Sequence, residues 1–206
     1  MEYLASVVGL SGSGKSTAIA GARALLAEQG ITSASFHDRT ADPESAKLDA
    51  FLHTTDLSPE ARMHLILALR RQVIDRQIIP SLLRNDVTLT DRYYPCTIAY
   101  QGYGEGLEHS LVACTAISAA HNAVPNRIFL LDLSATDAKH RMAARGGPEQ
   151  VFDGAELDFH DRVRYGYLEQ AATSEQFVVM DALRPRGEVA QFIANLISRD
   201  LGIAPC

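Results

Sequence analysis

The chain has little cysteine, no long apolar run and no surplus of positive charge, and each shortage removes a class of function. Its three cysteines, Cys96, Cys114 and Cys206, are too few and too scattered for a disulfide framework or a zinc site. They fit a reducing compartment, so a cytoplasmic location is expected. No apolar run approaches the roughly 18 residues of a membrane span. The opening MEYLASVVGL lacks the basic start of a secretion signal, and no membrane partner is expected. A net charge of −6 argues against a nucleic-acid polymer as partner, because such binding draws on bulk positive charge. The seven histidines (His37, His53, His64, His109, His121, His140, His160) show no metal-ligand spacing. Surface or packing roles are expected for them, except that His37 ends a predicted strand where a substrate could be touched. There is no internal repeat, low-complexity tract or linker, so residues 1–206 read as a single domain.

What is present supports one good core. Hydrophobic residues make up 47% of the chain, and the 21% that are charged indicate neither disorder nor a charged tail. Five short apolar runs, Leu4–Gly9, Ile31–Phe36, Val87–Thr90, Arg127–Leu133 and Phe177–Met180, read as parallel strands covered on both faces. Helical patterns separate them at Lys15–Gln29, Pro59–Arg84, Leu107–His121, Thr136–Arg145, Ala155–Thr173 and Gly187–Arg199. Pro80 is expected to kink or end the second of these. The alternation predicts an α/β fold, a doubly wound five-stranded parallel sheet flanked by helices. Two polar segments, Arg39–Ser45 and Gly146–Gly154, are expected to be mobile loops over a site.

The stretch GLSGSGKST follows the first predicted strand and opens the first predicted helix, with the Walker A spacing Gly9-x-x-x-x-Gly14-Lys15-Ser16. Gly9, Gly12 and Gly14 let the backbone wrap a phosphate chain, and the amides from Ser13 to Thr17 face inward at the helix N-terminus. Lys15 would neutralise the β and γ oxygens, and the Ser16 hydroxyl would ligate Mg²⁺. The pattern implies a P-loop NTPase fold and a bound ATP-type nucleotide. It leaves hydrolysis, switching and transfer open.

A second cluster, DRYYPCTIAYQG, begins at the end of the third predicted strand. Asp91 there faces the phosphate loop across the strands' carboxyl edge, where it can hold Mg²⁺ and orient an acceptor. Arg92 beside it offers a fork for a phosphate. A strand-end turn with a surface Asp–Arg pair is the bland alternative. Tyr93, Tyr94 and Tyr103 either shape the acceptor pocket or pack, and Cys96 reads as a packing residue.

This segment resembles the thymidylate kinase family, whose members carry Asp-Arg-Tyr followed by a serine and Ala-Tyr-Gln. Arg70 and Pro80 in IIPSLL, the run FLLDLSATDAKHRMAARG entering a short lid (about 141–156), and LDFHDRVRYGYLEQA leaving it extend the likeness along nearly the whole chain. The resemblance implies transfer of the ATP γ-phosphoryl group to a nucleoside monophosphate, dTMP giving dTDP. It puts Lys15, Asp91, Arg92 and Arg145 in catalysis, Arg92 on the acceptor phosphate and Arg70 on the base edge. Tyr100 would lie beside the deoxyribose, with Gln101 and Thr97 nearby. Arg145 and Arg141 would close over the ATP phosphates. It also implies a homodimer, for which Leu107–His121, rich in Ala, Leu and Val, is a candidate interface helix, with core packing an equal explanation of that composition.

Four departures bear on the acceptor and the lid. Ser11 stands where the family places an acid near the acceptor sugar and metal. FHDRTADPES replaces the family's Arg-Glu-Pro-Gly-Gly-Thr, leaving Asp38 and Arg39 as stand-ins in the substrate pocket. Ile66 occupies the position of an aromatic residue that stacks on thymine. The lid GGPEQVFDG has no second arginine. Arg162 and Arg164 after it are expected on a solvated face, and Asp132 either caps the next helix or supports the site. The alternatives still open are a kinase for a modified nucleotide or another small phosphorylated metabolite, including the adenylylsulfate type, and a non-catalytic ATP-binding regulatory module.

Overall fold

A computed structural model describes residues 2–40, 43–121, 123–145 and 152–203, Arg145 by its backbone alone. The N-terminal half runs β1 (Tyr3–Val8), α1 (Lys15–Glu28), β2 (Ser33–His37), α2 (Pro43–Thr54), α3 (Pro59–Val73), α4 (Ile79–Leu82) and β3 (Val87–Asp91). The remainder runs α5 (Tyr94–Thr97), α6 (His109–Ala120), β4 (Arg127–Asp132), α7 (Ala135–Arg145), α8 (Leu157–Ala172), β5 (Phe177–Asp181) and α9 (Arg186–Asp200).

All five predicted strands form, in one parallel sheet of order β2-β3-β1-β4-β5. The central strand β1 is buried at every position. Its neighbours contribute Leu89 and Phe129 to the same core, both with no exposed surface. Helix α1 turns Ala18, Ile19, Ala22 and Leu26 inward at helical spacing, against Val189, Ile193 and Ile197 of α9. Because β1 connects outward to β2 on one side while β4 lies on its other side, the chain reverses direction of winding beside β1. The carboxyl ends of β1 and β3 therefore border an open crevice.

Three local features differ from the expectation. Helix α3 starts at the Ser58 cap, whose hydroxyl accepts from the Ala61 amide at 3.3 Å, but Pro80 does not break the helical path at its far end. A π-helical turn over Ile74–Ile78, closed by the Ile79 amide on the Ile74 carbonyl, widens the helix just before Pro80. It absorbs the missing donor. The segment Arg39–Ser45 is not simply a loop, because α2 begins at Pro43. That helix turns only Ser45, Asp49 and Leu52 inward, so its sequence carries almost no apolar period. The third is a second π-helical stretch, Ile98–Gly104, which prolongs α5 through AYQG. No helix among the described residues is long and apolar enough to cross a membrane.

Phe129 sits at the middle of the sheet with no exposed surface. Phe129→Ala is expected to lower the unfolding free energy by about 3–5 kcal/mol, read by urea titration. A loss below about 1 kcal/mol would show that the sheet centre repacks around the gap.

Candidate active site

The turn after β1 builds the first half of the site. Gly9 has φ +138°, and a Cβ there would lie 2.5 Å from the Leu131 carbonyl oxygen. Gly12 has φ +82°, and a Cβ would come within 2.9 Å of the Ala138 carbonyl oxygen. Both positions therefore combine a backbone that L-residues avoid with no room for a side chain. Gly14 provides no side-chain cap for α1, and the first turn holds no acid, so its amides are left for an anionic ligand. Lys15 bends back over the loop, its ammonium donating to the carbonyls of Leu10 at 2.8 Å and Gly9 at 3.3 Å. A triphosphate offers better acceptors than these carbonyls for the same proton donors.

Parallel pairing of β1 and β3 sets Val7 against Asp91. The Ser16 hydroxyl donates to Asp91 Oδ2 at 2.5 Å. The next residue, Arg92, adopts φ +70°, one of two non-glycine residues with positive φ among the described residues, and its amide bonds the Val7 carbonyl at 3.0 Å. That strained turn sends its guanidinium back to Ser11, with Nη2 donating to Oγ at 3.1 Å, and over the Tyr100 ring at 5.8 Å.

Two clefts meet at Ser11 and Arg92. The larger, about 680 Å³, is lined by the phosphate loop from Ser11 to Thr17, by His37, Asp91 and Arg92, and by Arg141, Arg184 and Arg186. The smaller, about 50 Å³, lies between α3 and the π-helical stretch. Its walls include Ile66, Arg70, Thr97, Tyr100 and Gln101, all expected there, together with Asp38 and Arg39. Phe152 narrows it, its ring 5.3 Å from that of Tyr100.

The charges around the smaller cleft are sorted in an informative way. Arg39 pairs with Asp49 at 3.0 Å, Arg70 with Asp38 at 2.8 Å, and Arg62 with Glu105. Glu105 also receives Gln101 Nε2 at 2.8 Å, and Arg70 Nη1 donates to the Thr97 hydroxyl at 2.9 Å. Arg92 alone among these four arginines makes no ion pair with a carboxylate among the described residues. Three guanidiniums are neutralised in place, and the fourth, at the junction with the phosphate loop, is where a ligand anion gains most.

Several residues stand differently from the sequence reading. Arg39 reaches the pocket, but as the buried partner of an α2 carboxylate. Arg141 lines the larger cleft while its Nη1 holds the Ala182 carbonyl at 3.1 Å. Arg164 is not simply solvated, since it grips Asp132 at 2.7 and 2.8 Å. The amide at the start of α7 is capped instead by Ser134, whose Oγ accepts from Asp137 at 3.0 Å. The side chain of Arg145 and the lid residues Gly146–Val151 lie outside the described residues. Arg62, Glu105, Arg184, Arg186 and Phe152 were missed. Arg62 lies one turn before Ile66 on the stripe that also carries Arg70, and Arg184 and Arg186 flank Pro185 between β5 and α9; those patterns were available. An isolated aromatic in a polar segment, as at Phe152, gives no such signal.

A phosphate loop feeding a wide cleft, joined to a narrower pocket through an arginine that makes no ion pair among the described residues, is the arrangement of a P-loop nucleotide kinase. The chain belongs to the thymidylate kinase family: the family model described as Thymidylate kinase matches residues 7–193. A thymidylate kinase of Nitratidesulfovibrio vulgaris is 34% identical over 208 residues, covering 94% of this chain and 91% of its own length. The thymidylate kinase of Solidesulfovibrio magneticus is 36% identical, covering 93% and 96%. That of Carboxydothermus hydrogenoformans is 32% identical, covering 89% and 91%.

Two measurements probe this geometry. Gly12→Ala should weaken ATP binding at least tenfold in a titration of the nucleotide, because both φ and the Ala138 carbonyl oppose a methyl group; unchanged affinity would mean the loop opens on binding. For His37, burial pushes the imidazole pKa below its ordinary 6.5, outweighing Asp38 and Asp91, which push it up. Its Nδ1 accepts from the Arg39 amide at 3.4 Å, as a neutral ring does. The unfolded chain binds the proton more readily, so stability is full above about pH 6.5 and declines as pH falls toward the folded-state value. His37→Asn should flatten the melting temperature between pH 7 and pH 5.

Proposed function

We propose that this protein transfers the γ-phosphoryl group of ATP to thymidine 5′-monophosphate, giving dTDP and ADP. The observation that carries the reading is Arg92, the one arginine of the acceptor pocket that makes no ion pair with a carboxylate among the described residues, standing at the junction with the phosphate loop. A neutral base and sugar fit beside the three neutralised arginines, and a phosphate fits beside Arg92. The names of the relatives supply the acceptor, dTMP.

ATP would lie in the wide cleft with its phosphates on the loop amides and Lys15, and with Arg141, Arg184 and Arg186 along its course. An oxygen of the acceptor phosphate forms a bond to the γ-phosphorus, while the bond from that phosphorus to the β–γ bridging oxygen breaks. Arg92 holds the attacking phosphate and Lys15 offsets charge on the leaving side. Their contribution is positioning and electrostatic, since the reaction needs no covalent group on the protein. Cys96 is accordingly buried packing, in contact with the core.

The pairing of a hydroxyl with a carboxylate at Ser16 and Asp91 is a set of hard oxygen donors suited to Mg²⁺. These two residues would hold the ion. When bound, Mg²⁺ supplies positive charge at the β and γ oxygens. Phe152 forms part of the wall of the acceptor pocket. A second copy of this chain is the proposed partner of α6, which turns Leu111 and Ile117 outward beside the exposed Cys114.

Coupled measurement of ADP release with dTMP, dUMP, dCMP, dGMP, UMP, CMP and adenylylsulfate tests the assignment. Turnover with dTMP should exceed all others. A silent panel despite tight ATP binding would leave a nucleotide-binding module instead. Arg92→Ala should lower kcat/KM for dTMP by about 10²- to 10³-fold while ATP affinity stays within about threefold. An equal loss of ATP affinity would place Arg92 on the donor.

A further inference from the structure

Asp38 follows β2 and has almost no exposed surface, yet it lines the acceptor pocket beside Ile66, Arg70 and Thr97. Its two oxygens are used unequally. Oδ2 accepts both Arg70 Nε at 3.2 Å and Arg70 Nη2 at 2.8 Å. Oδ1 is buried and accepts no hydrogen bond among the described residues. The His37 ring nitrogen nearest to it is 3.9 Å away and is itself an acceptor for the Arg39 amide. Burial pushes the Asp38 carboxyl pKa up, but Arg70, His37 and Arg39 outweigh it and hold the group below its usual range. A charged oxygen on the wall of the pocket is thus buried and accepts no hydrogen bond among the described residues, a costly arrangement unless a ligand completes it.

Arg70 has five N–H donors, and Nε and Nη2 to Asp38 with Nη1 to Thr97 occupy three of them. An acceptor, Oδ1, therefore stands beside spare donors on the same buried pair. The complementary ligand edge is a ring N–H next to a carbonyl.

We propose that Asp38 is a specificity-determining residue: its Oδ1 accepts the ring N–H of the acceptor's base while Arg70 donates to the adjoining carbonyl, selecting imide-edged pyrimidines of the thymine and uracil type. The inference rests on the acceptor-pocket reading given above. Cytosine presents a lone pair where this edge has its N–H, so the carboxylate repels it as well as failing to bond it.

The test is a specificity ratio. In the wild-type enzyme, kcat/KM for dTMP should exceed that for dCMP by at least about a hundredfold. Asp38→Asn replaces the acceptor oxygen with an amide able to donate to the cytosine lone pair. It should lower kcat/KM for dTMP at least about tenfold while raising that for dCMP, with ATP affinity unchanged as the check on folding. If Asp38 only anchors Arg70, both substrates fall together and the ratio holds, which overturns the proposal. A ligand-side measurement needs no variant: the difluorotoluene isostere of dTMP keeps the shape but carries C–H in place of the ring N–H and C–F in place of each carbonyl, so it removes both proposed contacts at once. The wild-type enzyme should use it at least about a hundredfold less well than dTMP, and use within about threefold would overturn the inference. Failure of the wild-type enzyme to use any monophosphate would instead sink the kinase reading itself.

Discussion

The parallel pairing of β1 with β3 is the contact on which the site depends. It aligns Val7 with Asp91, so the two turns that carry the chemistry leave the sheet side by side. The first turn is the phosphate loop, and the second is the strained residue Arg92. Two short bonds between them, Ser16 to Asp91 and Arg92 to Ser11, are consequences of that register. A slip of one residue would reverse the faces of β3 and separate both pairs. The fully buried β1, with Phe129 and Leu89 flanking it, keeps the register from slipping.

Charge is organised around the same register. Buried arginine is costly unless paired, and the acceptor pocket meets that cost three times with Asp38, Asp49 and Glu105. The exception among the described residues is Arg92, at the carboxyl edge of the sheet, the proposed meeting point of the two phosphates. Ser11 contributes to this asymmetry: a carboxylate in its place would have neutralised Arg92 in the resting protein. A hydroxyl leaves that charge for the ligand, at the expense of whatever an acid would have done for the sugar. The loss of an aromatic at Ile66 has a comparable local counterpart. Aromatic surface enters the pocket instead from Phe152, stacked near Tyr100 and Phe159.

Much of this was legible in the residue order, for identifiable reasons. The inner strands β1, β3 and β4 are buried almost throughout and could be placed on that ground. The edge strands are not covered on both faces as expected: β2 is half-buried along its length, and β5 leaves Val179 exposed. The phosphate loop needs glycines at fixed offsets, and φ values at Gly9, Gly12 and Gly14 reflect that need. Helix α2 was hidden because it is held by a buried ion pair, Arg39 with Asp49, and not by an apolar stripe. The passage through Pro80 was hidden because a π turn leaves no mark in composition. Arg164 looked like a solvated cation because its partner, Asp132, belongs to a strand far away in sequence.

The sequence by itself determined the sheet and the phosphate loop, since these depend on local spacing and on hydrophobic period. Tertiary structure alone decided which arginine is left for a ligand and which carboxylate oxygen is left unsatisfied. Pairing between Arg70 and Asp38, Arg62 and Glu105, or Arg39 and Asp49 joins separate elements of the fold. Only the three-dimensional arrangement shows that, among the described residues, Arg92 makes no ion pair and Asp38 Oδ1 accepts no hydrogen bond, because the free energy of a buried charge is set by what surrounds it and not by its neighbours along the chain.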